Sequence, residues 1–471
     1  MSTEANMNAA RLSRRAALRG AAAGFGFLGM PGLASALPGF ATAQPGFLGG
    51  LGQAAKAKRV IFLCMSGAPS HVDTFDYKPD LIKADGKAPP GKYGQGTKLW
   101  ASPFEFKQHG QSGLWISELF PHLAKQADRL CLLRGMHTDI PAHAQATIRM
   151  HTGNSQFVRP SMGAWVHFGL GTANENLPAF VTLNPPSTQG GAQNYGSAFL
   201  PPEHQGLRIG IERESRLTRR RDPDPPVENI NNPRRSREAQ RRQLDLVQAL
   251  NKERAKRGDA DGAVGSVIEA YNLAYRMQAE LPELLDVSQV SRKKLEAYGI
   301  GEESTDTFGR QCLTARNLAE QGVRFIEVNQ GGWDHHRNLR EDLRTSCTAI
   351  DKPIAALLDD LQRSGLLQET LVVWGGEFGR TPAAQGTDGR GHNNRGYTTW
   401  MAGAGIQPGT SYGATDELGY EAVEGRVSTH DWHATILHLL GLNHETLTFN
   451  HAGRDFRLTD VSGEVIRGVL A

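Results

Sequence analysis

Acidic and imidazole side chains gather in a few short segments of this chain, and their types point to metal-assisted chemistry. Asp334-His335-His336 follows an apolar run and the turn Gly331-Gly332-Trp333. Adjacent Asp and His residues on a strand-to-loop turn can aim two or three ligand atoms into one pocket, and imidazole with carboxylate suits zinc, manganese or iron. Glu377 and Arg380 share the turn Gly375-Gly376-Glu377-Phe378-Gly379-Arg380, whose glycines allow close backbone approach. Arg380 is suited to hold a pair of phosphate or sulfate oxygens, or else to pair with Glu377. His392 lies in Asp388-Gly389-Arg390-Gly391-His392-Asn393-Asn394, a loop able to bring a distant ligand home. His71, Asp73 and Asp76 follow the first apolar run within one turn of each other. The expectation is that Asp334, His335, Glu377 and His392 converge on one divalent metal. His430-Asp431-Trp432-His433 is weaker, because it opens a helical pattern from Trp432 to Leu440 in which Asp431 reads equally as a cap.

The elements that must position these residues are apolar runs ending in polar or glycine-rich loops. Arg59–Met65, Val323–Asn329, Thr370–Trp374 and Tyr397–Met401 are hydrophobic without alternation, as strands covered on both faces are. Helical patterns such as Thr314–Gln321 and Ile350–Ser364 lie between them and stop at Gly322 and Gly365. Alternating strands and helices predict an α/β fold, a three-layer α/β/α sandwich. Ligands of such sheets bind off the carboxyl ends of the strands, where the acids and histidines collect.

Composition sets the outer limits. With 471 residues, 39% hydrophobic and 21% charged, the chain is globular and long enough for one large domain or two ordinary ones. The formal charge of +3 is accounted for by Arg11, Arg14, Arg15 and Arg19 against Glu4, so the rest is near neutral and no nucleic-acid partner is expected. Those arginines belong to a twin-arginine pattern, Ser13-Arg14-Arg15-Ala16-Ala17-Leu18-Arg19, ahead of a mildly apolar stretch too weak to span a membrane. Ala41-Thr42-Ala43 is a small-residue cleavage site. Residues 1–43 therefore read as an export signal, 44–57 as a linker, and the location as the periplasm or the cell exterior, with the twin-arginine machinery as partner. Residues from about 208 to 300 read as a charged, mostly helical insertion, basic over its first half, for which a solvated surface is favoured over a clamp on an anionic polymer. Cys64, Cys131, Cys312 and Cys347 form no CxxC pair and read as buried free thiols.

These motifs together carry a resemblance. Met65–Asp76, Gly332-Trp333-Asp334-His335-His336, Gly376–Pro382, Gly391-His392-Asn393, Tyr412–Glu417 and Ala452–Phe456 are similar to the DUF1501 proteins, a sulfatase-like branch of the alkaline phosphatase superfamily. The likeness runs from about residue 58 to the C-terminus, as one alkaline phosphatase-like domain. It implies that Asp73, with Asp76 as alternate, matches the metal-binding acid after the first strand, that Asp334, His335 and His336 match a later ligand cluster, and that His392 matches a late histidine ligand. Glu377 matches the first member of an acidic ligand pair, whereas Phe378 stands where the second would be. The nucleophile position falls at His143 rather than Cys, Ser or Thr, with Thr147 one helical turn on as the fallback. The implied function is an exported, metal-dependent hydrolase of phosphate or sulfate esters. Zn, Mn, Ca or Fe would be the cofactor, Arg380 would stabilise developing negative charge, His143 would serve as nucleophile or general acid/base, and a phosphorylated or sulfated small molecule or polysaccharide would be the substrate. The alternative is an envelope binding or assembly protein that keeps the fold without the chemistry.

Overall fold

A strand that is apolar along its whole length has no face to give to water, and β1 (Arg59–Met65) is buried at every residue. The computed structural model of the chain describes residues 54–91, 96–211, 227, 230, 234–256 and 263–471. The expected signal peptide, most of the linker and much of the Pro-rich start of the insertion lie outside the described residues. The strands that matter here are β1, β2 (Leu130–His137), β3 (Phe180–Leu183), β4 (Leu207–Ile209), β5 (Phe325–Gln330), β6 (Thr370–Gly375), β7 (Gly379–Gln385), β8 (Gly389–Asn393), β9 (Tyr397–Gly403), β10 (Thr410–Tyr412) and β11 (Val427–Ser428). Nine of them form one sheet in the order β10-β2-β9-β6-β1-β5-β3-β4, with β11 paired to β2. Only β9 runs antiparallel to its neighbours in that sheet. β7 and β8 form a separate antiparallel hairpin.

The helices used below are α1 (His71–Thr74), α2 (His143–Thr152), α3 (Met162–Leu170), α4 (Arg237–Lys256), α5 (Ala263–Leu285), α6 (Asp306–Glu320), α7 (Leu339–Arg363) and α8 (Thr429–Leu439). Alternate residues of β1 enter different cores. Ile61, Leu63 and Met65 pack with Leu318 of α6 and Leu343 and Leu358 of α7. Val60, Phe62 and Cys64 pack with Ala146 and Met150 of α2, Trp165 of α3, and Trp432 and Ile436 of α8. Each large apolar side chain taken fully out of water contributes about 1.5–3 kcal/mol, so both faces of the sheet are firmly covered. This is the expected α/β/α sandwich. The insertion contributes α4 and α5, in keeping with a mostly helical character. Among the described residues no helix is long and apolar enough to cross a membrane.

Boundaries differ from the sequence reading in ways the packing explains. α7 begins at Leu339 rather than Ile350, because Leu339, Leu343, Cys347 and Ile350 already form a buried stripe between charged neighbours. α6 likewise starts at Asp306. Both helices are followed by left-handed glycines, Gly322 (φ +87°) and Gly365 (φ +75°), where a Cβ would be strained. α8 starts at Thr429, three residues early. Ser428 is its cap, and Asp431 completes a reciprocal capping box with it. That assigns Asp431 to the helix start. All four cysteines are free and buried.

Candidate metal centre

Because β5, β1 and β6 are neighbours and parallel, the loops after them leave the sheet at one edge and must touch. Gly67 (φ +114°) permits this contact, since a Cβ there would sit 2.7 Å from the backbone nitrogen of Asp334. Its N–H donates to the Glu377 carboxylate at 3.0 Å, tying the β1 loop to the β6 loop. The β7–β8 hairpin then closes over the β5 loop. Gly389 lies so near that a Cβ would fall 1.8 Å from the carbonyl oxygen of His336. The Arg390 N–H donates to the His335 carbonyl at 3.1 Å, and the Leu339 N–H to the Asp388 carbonyl at 2.8 Å. Three loops, the hairpin and the start of α2 thus enclose one small space.

Four side chains point into it. Asp334 Oδ1 lies 2.9 Å from His336 Nε2, 3.2 Å from His143 Nε2 and 3.7 Å from His392 Nε2. His336 Nε2 and His392 Nε2 are themselves 3.0 Å apart. The opposite ring nitrogens decide what these contacts mean. His143 Nδ1 meets the Glu377 carboxylate at 2.6 Å, His336 Nδ1 meets Gln385 Oε1 at 2.6 Å, and His392 Nδ1 meets the Pro141 carbonyl at 2.7 Å. Each partner is an oxygen that can only accept, so each Nδ1 carries the proton and each Nε2 presents a lone pair. Three ring nitrogens and a carboxylate oxygen therefore face one another; Arg380 donates to Asp334 Oδ1 and reaches His336 Nε2 at 3.4 Å, but His143 Nε2 meets no donor.

A divalent metal fits this set. Donor atoms around a tetrahedral zinc are about 3.3 Å apart; the four separations above run from 2.9 to 3.7 Å, and all four donor atoms lie within 4.8 Å of one another. His143 Nε2 is buried with no hydrogen-bond partner although Asp334 Oδ1 is 3.2 Å away, as expected of two acceptors without a bridging ion. Oxygen acceptors on the outer imidazole nitrogens are the usual means of fixing a ligating histidine. The Phe378 ring packs against the imidazoles of His143 and His392, with centroids 4.7 and 4.9 Å apart, and holds their planes. Burial opposes ionisation of Asp334, yet the Arg380 guanidinium at 2.6 Å holds its carboxyl below the ordinary value. Burial, and then the nearby Arg380, His143 and His336, push the His392 imidazole below its usual range, which keeps it a neutral donor.

The expected ligands divide sharply. Asp334, His336 and His392 come together, and His143, taken from the sequence as a nucleophile or general acid/base, completes the set. Glu377 does not face it, because its carboxylate is taken by the Gly67 N–H and by His143 Nδ1. His335 turns the other way. Its Nε2 lies 3.3 Å from Ser346 Oγ, and burial, followed by the field of Arg380, lowers its pKa to about 4. Asp73 is fully buried in a two-bond ion pair with Arg390, at 2.6 and 3.0 Å, and receives the Ser70 hydroxyl as well. Asp76 pairs with Lys78 at 3.1 Å, and His71 Nε2 meets the Gly419 carbonyl at 2.8 Å. Arg380 has no surface exposure and donates to the carbonyls of Ala68, Gly67, Trp333 and Arg390 and to Asp334, and it also reaches His336 Nε2 at 3.4 Å, so it braces the loops and is not free to meet a ligand. It pairs with Asp334 and not, as the sequence also allowed, with Glu377. Thr147 is fully buried with an unpartnered hydroxyl, one turn beyond His143 on α2. Gln385 and the Pro141 carbonyl were not legible as site groups; only the spacing of the β7–β8 hairpin hints at Gln385.

Similar solved structures include the alkaline phosphatase of the Antarctic bacterium TAB5, at 10% identity over 83% of this chain and 100% of that one, with a TM-score of 0.36. The lipoteichoic acid synthase LtaP of Listeria monocytogenes matches at 9% identity over 88% of this chain and 76% of that one, with a TM-score of 0.39. PsFucS1 sulfatase from Pseudoalteromonas sp. matches at 12% identity over 84% and 69%, with a TM-score of 0.34. At these scores no residue role is carried from them to this chain. No curated protein matches it in sequence. The model of the family described as "Protein of unknown function (DUF1501)" matches residues 57–470, and the chain belongs to the DUF1501 family.

Proposed function

We propose that this protein is a metal-dependent hydrolase of phosphate or sulfate esters, exported by the twin-arginine route to the periplasm or beyond. The observation that carries the reading is the convergence of three Nε2 lone pairs on Asp334 Oδ1, with every Nδ1 fixed by an oxygen. His143, Asp334, His336 and His392 would hold the cation. Bound there, a divalent ion supplies Lewis-acid polarisation of an ester oxygen and makes a water molecule more acidic.

The protein's own residues set the charge and the access. Asp334 and Glu377 bring two negative charges and Arg380 one positive, so a divalent ion leaves the site formally +1. Such a site favours an anionic ester over a neutral one. Asp334 is 44% exposed at its side chain, and His336 and His392 are partly exposed, while Arg380 and Glu377 are buried, which opens the cluster on the side of Asp334, His336 and His392. Glu377 holds the proton of His143 at Nδ1 and so keeps Nε2 directed inward. Arg380 holds Asp334 and four backbone carbonyls in place, a positioning role. His143, which stands at the nucleophile position of the resemblance, is itself one of the four donors, and the Thr147 hydroxyl is buried. Water is therefore the nucleophile in this reading, and the substrate is a phosphorylated or sulfated small molecule or polysaccharide.

The same lack of a side-chain nucleophile favours the second reading, a binding protein that keeps the site without turnover. The test is elemental analysis and hydrolysis of 4-nitrophenyl phosphate and 4-nitrophenyl sulfate by the full chain, beside His336→Ala. The hydrolase reading expects bound metal and turnover of one ester in the wild type, with turnover and the metal of this cluster lost in the variant. Metal without turnover of any phosphate or sulfate ester supports the binding protein, and a wild type without metal overturns both.

A further inference from the structure

Two turns along α2 from His143, the same helix sends His151 into the core between the helix and the sheet. Its Nε2 lies 3.3 Å from Glu327 Oε1 and 3.9 Å from Cys64 Sγ, and the three donor atoms all lie within 4.8 Å of one another. Glu327 is the third residue of β5, in register with Phe62 of β1, and Cys64 stands two residues further along β1. All three side chains are buried, at 1% exposure for Glu327, 2% for His151 and none for Cys64. A carboxylate in the middle of a strand covered on both faces is tolerated only where its charge is met. Here one oxygen, Oε2, has no hydrogen-bond partner at all. The His151 Nδ1–H donates to the Thr147 carbonyl at 2.7 Å, so Nε2 is the ring atom that faces the sulfur and the carboxylate; burial opposes its charge, yet Glu327 and then Cys64 hold the imidazole well above its usual range. This repeats the arrangement of the outer cluster, with one thiol in place of two imidazoles.

We infer that Cys64, His151 and Glu327 form a second, buried binding site for a borderline-soft divalent cation such as zinc. Cysteine sulfur, imidazole nitrogen and carboxylate oxygen are together the ligand types that zinc takes. On binding, the Cys64 thiol and the His151 imidazolium give one proton each to solvent, and sulfur–metal and nitrogen–metal bonds form in their place. Thiolate and carboxylate then carry two negative charges against the two positive charges of the ion, which leaves the core neutral. A protonated His151 against Glu327 also balances charge, but it leaves Oε2 unmet and gives the sulfur no task. The site is closed to solvent, so the cation is captured as the chain folds. It lies eight residues from His143 along α2, roughly 12 Å at 1.5 Å per residue, which is too far to share a substrate with the outer cluster. Its task is structural: it pins α2 to β1 and β5, and thereby sets where His143 stands.

Cobalt distinguishes the two sites, because only the inner one contains sulfur. The full chain, expressed in cobalt-supplemented medium, is expected to hold two cobalt ions and to show a near-ultraviolet thiolate-to-cobalt charge-transfer band. Cys64→Ser is expected to hold one cobalt and lose the band. His336→Ala is expected to hold one cobalt and keep it. Should Cys64→Ser not fold, Glu327→Gln keeps shape and volume and is expected to lose one cobalt as well. A wild type without the band, a band unchanged in Cys64→Ser, or cobalt loading unchanged in Glu327→Gln overturns the inner site. The His336→Ala arm reads the outer site separately.

Discussion

The two donor clusters differ in where they meet water, and the difference separates chemistry from architecture. At the outer cluster the ligands come from loops, the hairpin and a helix start, Asp334 is half open to solvent, and the histidines are held by oxygens beyond them. At the inner cluster the donors come from the middles of β1 and β5 and the last turn of α2, with no opening. Loops positioned by a rigid sheet are where ligands exchange, whereas groups inside a sheet are where the fold is held. One helix, α2, contributes a histidine to each.

The sharpest way to break this contrast is to remove His336. His336→Ala is expected to abolish ester hydrolysis, by several kcal/mol of lost charge stabilisation or on the order of 10³-fold, while the melting temperature of metal-free protein stays close to wild type. Steady-state assays and calorimetry read the two effects apart, and activity that survives the change would place the chemistry elsewhere. Next in size is Asp73, which the resemblance implies is a ligand and the structure makes a buried strut under the hairpin. Asp73→Ala leaves Arg390 charged and unpaired in the core, so a loss of about 3–5 kcal/mol in denaturant unfolding is expected. Metal content of the folded fraction should remain. Parallel loss of metal and activity, with stability kept, would return Asp73 to the ligand set.

Glu377→Gln sharpens the comparison further. It keeps the volume but weakens the hold on His143 Nδ1, and outer partners of this kind change metal affinity by about 10–100-fold. Chelator competition measures the change, and an unchanged affinity would remove Glu377 from the site. The smallest effects concern pH. Burial lowers His204 and His433 to about 3 in the folded chain. The unfolded chain, with histidines near 6.5, binds protons first as pH falls, so stability is full above about 6.5 and drains away toward 3. At pH 5.5 each residue is expected to cost roughly 1 kcal/mol, read as a lower melting temperature of metal-free protein. His204→Gln should flatten that slope and leave metal affinity alone.

How much of this could be read from the chain follows from the range of each interaction. β1, β5, β6 and β9 were legible because continuous apolar runs need cover on both faces, and the sandwich followed from their alternation with helices. Asp334, His336 and His392 were legible because their motifs sit just beyond strands or in a hairpin. The choice between His335 and His336 was not, since it depends on which way the loop turns after Trp333. Asp73 and Glu377 were misplaced for one reason: a sequence shows an acid but not the Arg390 or His143 it will meet across the fold. His143 joins the donor cluster in the proposed reading only because Glu377 meets its Nδ1. Glu327 carried a signal that went unread, a carboxylate inside a strand too apolar to face water.

The most direct measurement is X-ray absorption at the zinc edge of the Cys64→Ser chain, in which the outer cluster alone remains. Four nitrogen or oxygen neighbours at about 2.0–2.1 Å, with the scattering of three imidazoles and no sulfur, are expected, together with their loss in Cys64→Ser/His336→Ala. No stoichiometric zinc in Cys64→Ser, or zinc without imidazole neighbours, would contradict a metal held by His143, Asp334, His336 and His392.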